Sequence, residues 1–142
     1  MRLFEGTAGD LAPLLLQLQA PAGAIAYVEC IRASGQSASG NASRLAVYRP
    51  STVGTGINGT YSQVGGSGAT PLCSFYSSFS ANPSTPTLGE GPWNLPLRIT
   101  WRAPRESAIV LSGSAANGTA LCAYATASGG HLWAGEILWE EV

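Results

Sequence analysis

Charge is what this sequence has least of. Only 11% of its 142 residues are Asp, Glu, Lys or Arg, under half of the roughly 25% usual in a soluble domain. There is no lysine, and all seven basic residues are arginine. Asp10 is the only aspartate and His131 the only histidine. Seven scattered arginines facing eight acids make no basic patch. Nucleic-acid phosphates would lack the counter-charge they need, so no nucleic-acid partner is expected. So few charges are also a poor basis for a long charged helix.

Cysteine is scarce as well. Cys30, Cys73 and Cys122 are odd in number, far apart and set in apolar, strand-like surroundings. They match neither a disulfide framework nor a zinc pattern, and read as small buried hydrophobes. No hydrophobic run is long enough for a bilayer. "LAPLLLQLQAPAGAIAYV" is broken by Pro13, Gln17, Gln19 and Pro21, so no membrane span is expected. "MRLFEGTAGD" lacks the apolar core of a signal peptide, which points to a soluble protein made in a cytosol.

Catalytic constellations are missing too. An acyl-transfer triad needs an acid, a base and a nucleophile that converge, and no G-x-S-x-G elbow occurs here. No cluster of His, Cys or carboxylates has metal-ligand spacing. Paired carboxylates for glycoside hydrolysis would have to come from Glu5, Glu29, Glu90, Glu106 or the tail, and nothing in the sequence brings two of them together. "GEGPW" lacks the spacing of a phosphate loop. The expectation is a protein without enzymatic activity or cofactor. The sequons at Asn41, Asn58 and Asn117 fit chance in so Ser/Thr-rich a chain.

In place of charge the sequence has 18 glycines, 9 prolines and abundant Ser, Thr and Ala. That mixture specifies many turns and a β-rich fold. Val-, Ile-, Thr-, Tyr- and Trp-rich stretches mark seven strands, at 22–34, 44–51, 71–80, 95–104, 107–114, 119–128 and 131–142. Short turns join the last four, Asn117-Gly118 among them, so these read as consecutive antiparallel hairpins. The Gly/Ser/Thr-rich stretch 51–70, with a short strand around Tyr61, and the Pro-rich stretch 81–94 are long enough to cross between sheets or to bind something. The expected architecture is a single all-β domain over 1–142, an antiparallel β-sandwich of jelly-roll-like or Greek-key type. Residues 1–21 form its N-terminal arm. "DLAPLLLQLQA" reads either as a short helix capped by Asp10 or as an extended strand with Leu14, Leu16 and Leu18 on one side.

Face patterns carry the functional expectation. In "LRITWRA", Leu97, Ile99, Trp101 and Ala103 alternate with Arg98, Thr100 and Arg102, giving one core face and one wet face. "GGHLWAGEILWEEV" is different. Trp133, Ile137 and Trp139 share one side with Gly135 and Glu141, while Ala134, Glu136, Leu138 and Glu140 share the other, and both sides are largely apolar. "TALCAYATA" repeats this two-sided pattern. Strands apolar on both faces need a second cover, either the N-terminal arm, a long loop or another subunit, and a two-layer domain of this length has so little to spare that the subunit is favoured. Leu14, Leu16, Leu18, Trp133, Ile137 and Trp139 are therefore the candidate subunit or capsid interface. A second candidate is an aromatic platform for a sugar, built from Trp93, Tyr61 and Tyr76.

An R-x-x-W-x-A-P strand and turn (98–104), the Asn-Gly turn and the terminal W-x-x-E-I-x-W-E-E (133–141) give the last 50 or so residues a resemblance to small structural proteins of tailed bacteriophages. The resemblance implies a virion protein such as a capsid decoration (cement) protein, or a small head or tail accessory protein. Its expected partners are other copies of itself, as a homotrimer, and a major capsid protein or another virion protein. The alternative is a carbohydrate- or receptor-binding module of a tail fibre.

Overall fold

The computed structural model describes residues 2–11, 14–35, 43–66, 68–86, 98–113, 120–127 and 132–142. They form two antiparallel sheets. The strands are β1 (Arg2–Leu11), β2 (Leu14–Gln19), β3 (Ile25–Gly35), β4 (Ser43–Tyr48), β5 (Thr55–Asn58), β6 (Thr60–Gln63), β7 (Ser74–Ala81), β8 (Arg98–Arg102), β9 (Ile109–Ser112), β10 (Ala120–Ala127) and β11 (Trp133–Glu141). The six-stranded sheet runs β6-β1-β11-β3-β8, with β9 also paired to β3. The five-stranded sheet runs β4-β10-β2-β7-β5. The expected all-β sandwich is what the chain forms.

The wiring is nested. β1 pairs with β11, β2 with β10, and β3 with β8 and β9. Each of the first four strands enters the sheet opposite to its predecessor, a jelly-roll-like alternation that does not extend to β7, which pairs with β2 and not with β4. The expected run of hairpins at the end of the chain is therefore wrong. β8 and β9 both pair with β3 and not with each other, and β10 crosses to the other sheet before β11 returns. A 3-10 turn at Arg105–Ser107, closed by Ser107 N–H to Pro104 O at 2.9 Å, redirects the chain between β8 and β9. Asn117-Gly118 lies outside the described residues.

The N-terminal arm is also corrected. Residues 2–11 and 14–19 are strands within the sandwich, one in each sheet, and neither is a helix. Leu14, Leu16 and Leu18 are fully buried between the sheets. Opposite them lies the inward face of β11, whose burial alternates along its whole length. Period-two alternation is the geometry of a strand with one face in the core. Trp139 stacks on Phe4 of its own sheet at 5.8 Å and on Phe75 of the other sheet at 6.1 Å. Gly6 makes the room for this: a Cβ there would sit 2.6 Å from the Phe75 ring. At the end of β11, the buried Glu141 carboxylate accepts from Leu72 N–H (2.9 Å), Cys73 N–H (2.8 Å) and Trp139 Nε1–H (3.1 Å), tying the six-stranded sheet to the segment entering β7.

The outer face of the five-stranded sheet is covered by the chain itself. Residues 49–54 leave edge strand β4 and reach β5 at the opposite edge, passing over β10 and β2. Gln17 points out of the sheet and is fully buried beneath this crossover. Its side chain donates to Gly54 O at 3.0 Å and accepts from Gly54 N–H at 2.8 Å. The Cys122 thiol donates to the same Gln17 oxygen at 3.8 Å. Gly54 must be glycine, because a Cβ would lie 2.6 Å from Pro83 Cδ. Thr52 and Ser84 hold the crossover down through Ser84 N–H to Thr52 O, 2.9 Å, and Thr52 N–H to Ser84 Oγ, 3.0 Å. The two-sided apolar pattern of β10 thus has an internal cause, and no second subunit is needed to explain it.

Two stability predictions follow from this packing. Trp139→Ala empties the space between Phe4 and Phe75 and is expected to cost about 3–5 kcal/mol, read as a lower urea midpoint with unchanged slope. Gln17→Leu keeps the volume but strands both polar groups of Gly54. It is expected to cost about 2–4 kcal/mol, and a loss below about 0.5 kcal/mol would show that the crossover does not depend on this contact.

Candidate functional site

One broad surface is left without such a cover by the described residues: the outer face of the six-stranded sheet. Strand register orders its side chains in cross-strand rows. Thr7, Glu136, Arg32 and Thr100 form one row. Glu5, Leu138, Cys30 and Arg102 form the next. Leu3, Glu140, Tyr27 and Val110 form the third. Acids therefore line β1 and β11, and arginines line β3 and β8. Leu3 and Leu138 are half-buried and Val110 is exposed, so apolar groups are interspersed with the charges.

Arg32 forms an ion pair with Glu136, whose side chain is 20% exposed against 46% for Arg32. Glu5 sits diagonally across from Glu136, on the neighbouring strand, and the two carboxyls share a hydrogen bond. This raises the Glu5 carboxyl above its ordinary value of 4.5. The hydrogen bond to Glu136 is the main cause, followed by burial and the like charge of Glu136, with Arg32 opposing. Glu136 and Arg32, without Glu5, border a shallow pocket of about 410 Å³ that is also lined by Thr7, Ser34, Thr100 and Ala134. Two carboxylates are brought together after all, from strands at opposite ends of the chain, and no local motif announces them. Chemically the group can hold a proton between the acids, hold a cation, or pair with a basic side chain.

The sequence-based candidates are distributed differently. Leu14, Leu16, Leu18, Trp133, Ile137 and Trp139 are each 2% exposed or less and belong to the core shared by the two sheets. They are not available to a neighbouring subunit in the folded chain. Tyr61 is the cross-strand partner of Gly6, on the inner side of the six-stranded sheet at its edge. Tyr76 is the partner of Gln17, on the outer side of the five-stranded sheet, with its ring edge-on to Phe79 at 6.1 Å. The two tyrosines share no face, and Trp93 and His131 lie outside the described residues. Thr100 and Arg102 are exposed while Trp101 packs against the core, as the alternation of that strand requires.

The cysteines are buried and unpaired. Burial pushes the Cys122 thiol up to about 12 and raises that of Cys73, which the nearby Glu141 raises further. Both stay protonated near neutrality, which removes their nucleophilic character. Among the described residues no group of three His, Cys, Asp or Glu side chains is placed to hold a metal ion, and no helix is long and apolar enough to cross a membrane. No family model, curated protein or solved structure matches the chain.

The carboxyl pair generates a pH prediction. Because Glu5 binds its proton more tightly in the folded state, the pair's contribution to stability is fully present below 4.5 and is lost as pH climbs through the raised value. Glu5→Gln keeps a donor to Glu136 at every pH. It is expected to flatten this part of the stability profile in urea titrations run from pH 4.5 to neutrality. Equal slopes in the two proteins would refute the shared proton.

Proposed function

We propose that this chain is a non-enzymatic structural protein that assembles with copies of itself, and that it serves as a virion component of a tailed bacteriophage, most specifically a capsid decoration protein. The observation that carries the self-assembly is the contrast between the two outer faces. The five-stranded sheet is roofed by residues 49–54 of its own chain, through Gln17 and Gly54. The six-stranded sheet presents Leu3, Leu138, Tyr27 and Val110 among its charges, with no such roof among the described residues. Mixed apolar and charged faces of this kind are what protein interfaces use.

The virion assignment rests on the sequence resemblance of residues 98–104 and 133–141, together with a jelly-roll sandwich, an architecture that occurs among viral capsid proteins. Other copies and a major capsid protein are its proposed partners. The carbohydrate-binding reading is weaker, because Tyr61 and Tyr76 offer no common platform.

Size-exclusion chromatography with light scattering tests the assembly. At micromolar concentration the expected species is an oligomer, and Leu138→Glu together with Val110→Glu, two changes on the uncovered face, is expected to return it to a folded monomer. A wild-type chain that elutes as a stable monomer would overturn the proposal.

A further inference from the structure

The charges on the uncovered face are arranged by strand. Counting inward from one side, β1 carries Glu5 and β11 carries Glu136; from the other, β8 carries Arg102 and β3 carries Arg32. The charges of these two rows are thus antisymmetric about the line between β11 and β3, while Glu140 of the third row has Tyr27 opposite it. We infer that this face binds the same face of a second copy, about a two-fold axis that runs along the strands between β3 and β11. The inference rests on the reading of the chain as a self-assembling protein and specifies the partner and its geometry.

A two-fold axis in that position lays β1 of one copy over β8 of the other and β11 over β3, and keeps every residue at its level along the strands. The consequence can be read row by row. Glu5 meets Arg102 of the second copy, and Glu136 meets its Arg32. Thr7 meets Thr100, Leu3 meets Val110, and Leu138 meets Cys30. Glu5 and Glu136 face arginines, Thr7 faces Thr100 and Leu3 faces Val110, while Glu140 faces Tyr27; each contact occurs twice, because the contact is isologous. Packed sheets are offset by roughly 30°. At β1 and β8, about 7 Å from the axis at about 4.8 Å per strand, that offset displaces side chains by only ~4 Å. The length of an arginine absorbs this.

The charges need the second copy. Arg32 is engaged by Glu136, while Glu5 shares a hydrogen bond with another acid. Arg102 is exposed, forms no ion pair among the described residues, and stands three strands from Glu5, roughly 14 Å away. An arginine side chain cannot cover that distance within one sheet. Across the two-fold axis the same two residues become neighbours. Five strands and the three rows, with their flanks, amount to roughly 1,000–1,300 Å² over two copies, enough for a specific interface. A three-fold ring would instead need the acids and the arginines at opposite rims of the protomer. Here β6 extends the sheet beyond β1, and the charges lie on the flat face.

Charge reversal with mixing is the test. The wild-type mass by light scattering is expected to be that of two chains. Arg102→Glu and Glu5→Arg, each alone, set like charges against each other at both ends of the interface. Each is expected to weaken association at least about tenfold, with the far-ultraviolet circular dichroism of a folded sandwich retained. The double variant is expected to dimerise again.

An equimolar mixture of the two single variants is expected to do so as well, because in the mixed pair both contacts join opposite charges. A three-membered ring cannot alternate two variants, so recovery on mixing is specific to the two-fold. A wild-type trimer, or a dimer indifferent to both reversals, would overturn the two-fold while leaving self-assembly intact. A wild-type monomer would remove self-assembly itself.

Discussion

Trp139 is stacked between Phe4 of its own sheet and Phe75 of the opposite one, and the sandwich is organised around that contact. It requires β11 to lie beside β1, which the register achieves by pairing Phe4 with Trp139 directly. It requires a glycine at position 6, where any side chain would collide with Phe75. It brings Glu141, two residues further on, to the edge of the core, where its carboxylate accepts three N–H groups. A buried carboxylate is costly unless its oxygens are bonded, and here the bonds also position the chain entering β7. One aromatic contact thus joins the two sheets, and the residues around it set the spacing between them.

The two outer faces illustrate different solutions to the same problem. β10 is apolar on both sides, and its outer side would be a liability if left bare. The crossover 49–54 covers it, and because a covering loop carries polar backbone groups that must be satisfied, Gln17 is buried beneath it to bond both groups of Gly54. On the six-stranded sheet the outer side of β11 carries glutamates between its apolar groups, and Glu136 finds Arg32 of β3 and Glu5 of β1. The first face is internal packing; the second mixes charged and apolar side chains on one sheet surface.

What the sequence disclosed follows from the range of its signals. Alternation in 98–104 and 133–141 marks strands and divides their faces, and the structure keeps both divisions. Leucine spacing at 14, 16 and 18 likewise marks a face, but periodicity carries no measure of depth. The same pattern serves an interface arm and a central strand, and the fold makes it the latter. Turn residues failed as a guide to pairing because they report a local reversal. Whether the chain then joins its neighbour or changes sheets is decided by which distant strand it buries against, here β3 for both β8 and β9. Glu5 and Glu136 became neighbours through β1–β11 pairing, a contact of the greatest sequence separation in the fold. Nothing short of the register could have revealed it.

That same separation governs how the molecule forms. β1 and β3 are not hydrogen-bonded to each other; β11 stands between them. Until β11 is in place the six-stranded sheet has a gap at its centre, and a gap exposes two strand edges. Loop closure across the full chain must precede the contacts that reward it, which makes folding slow for a domain of this size. Every β1–β11 bond is also one that a β11 strand from a neighbouring molecule could supply. A sheet completed by β11 is therefore open, until that strand docks, to strand exchange between copies.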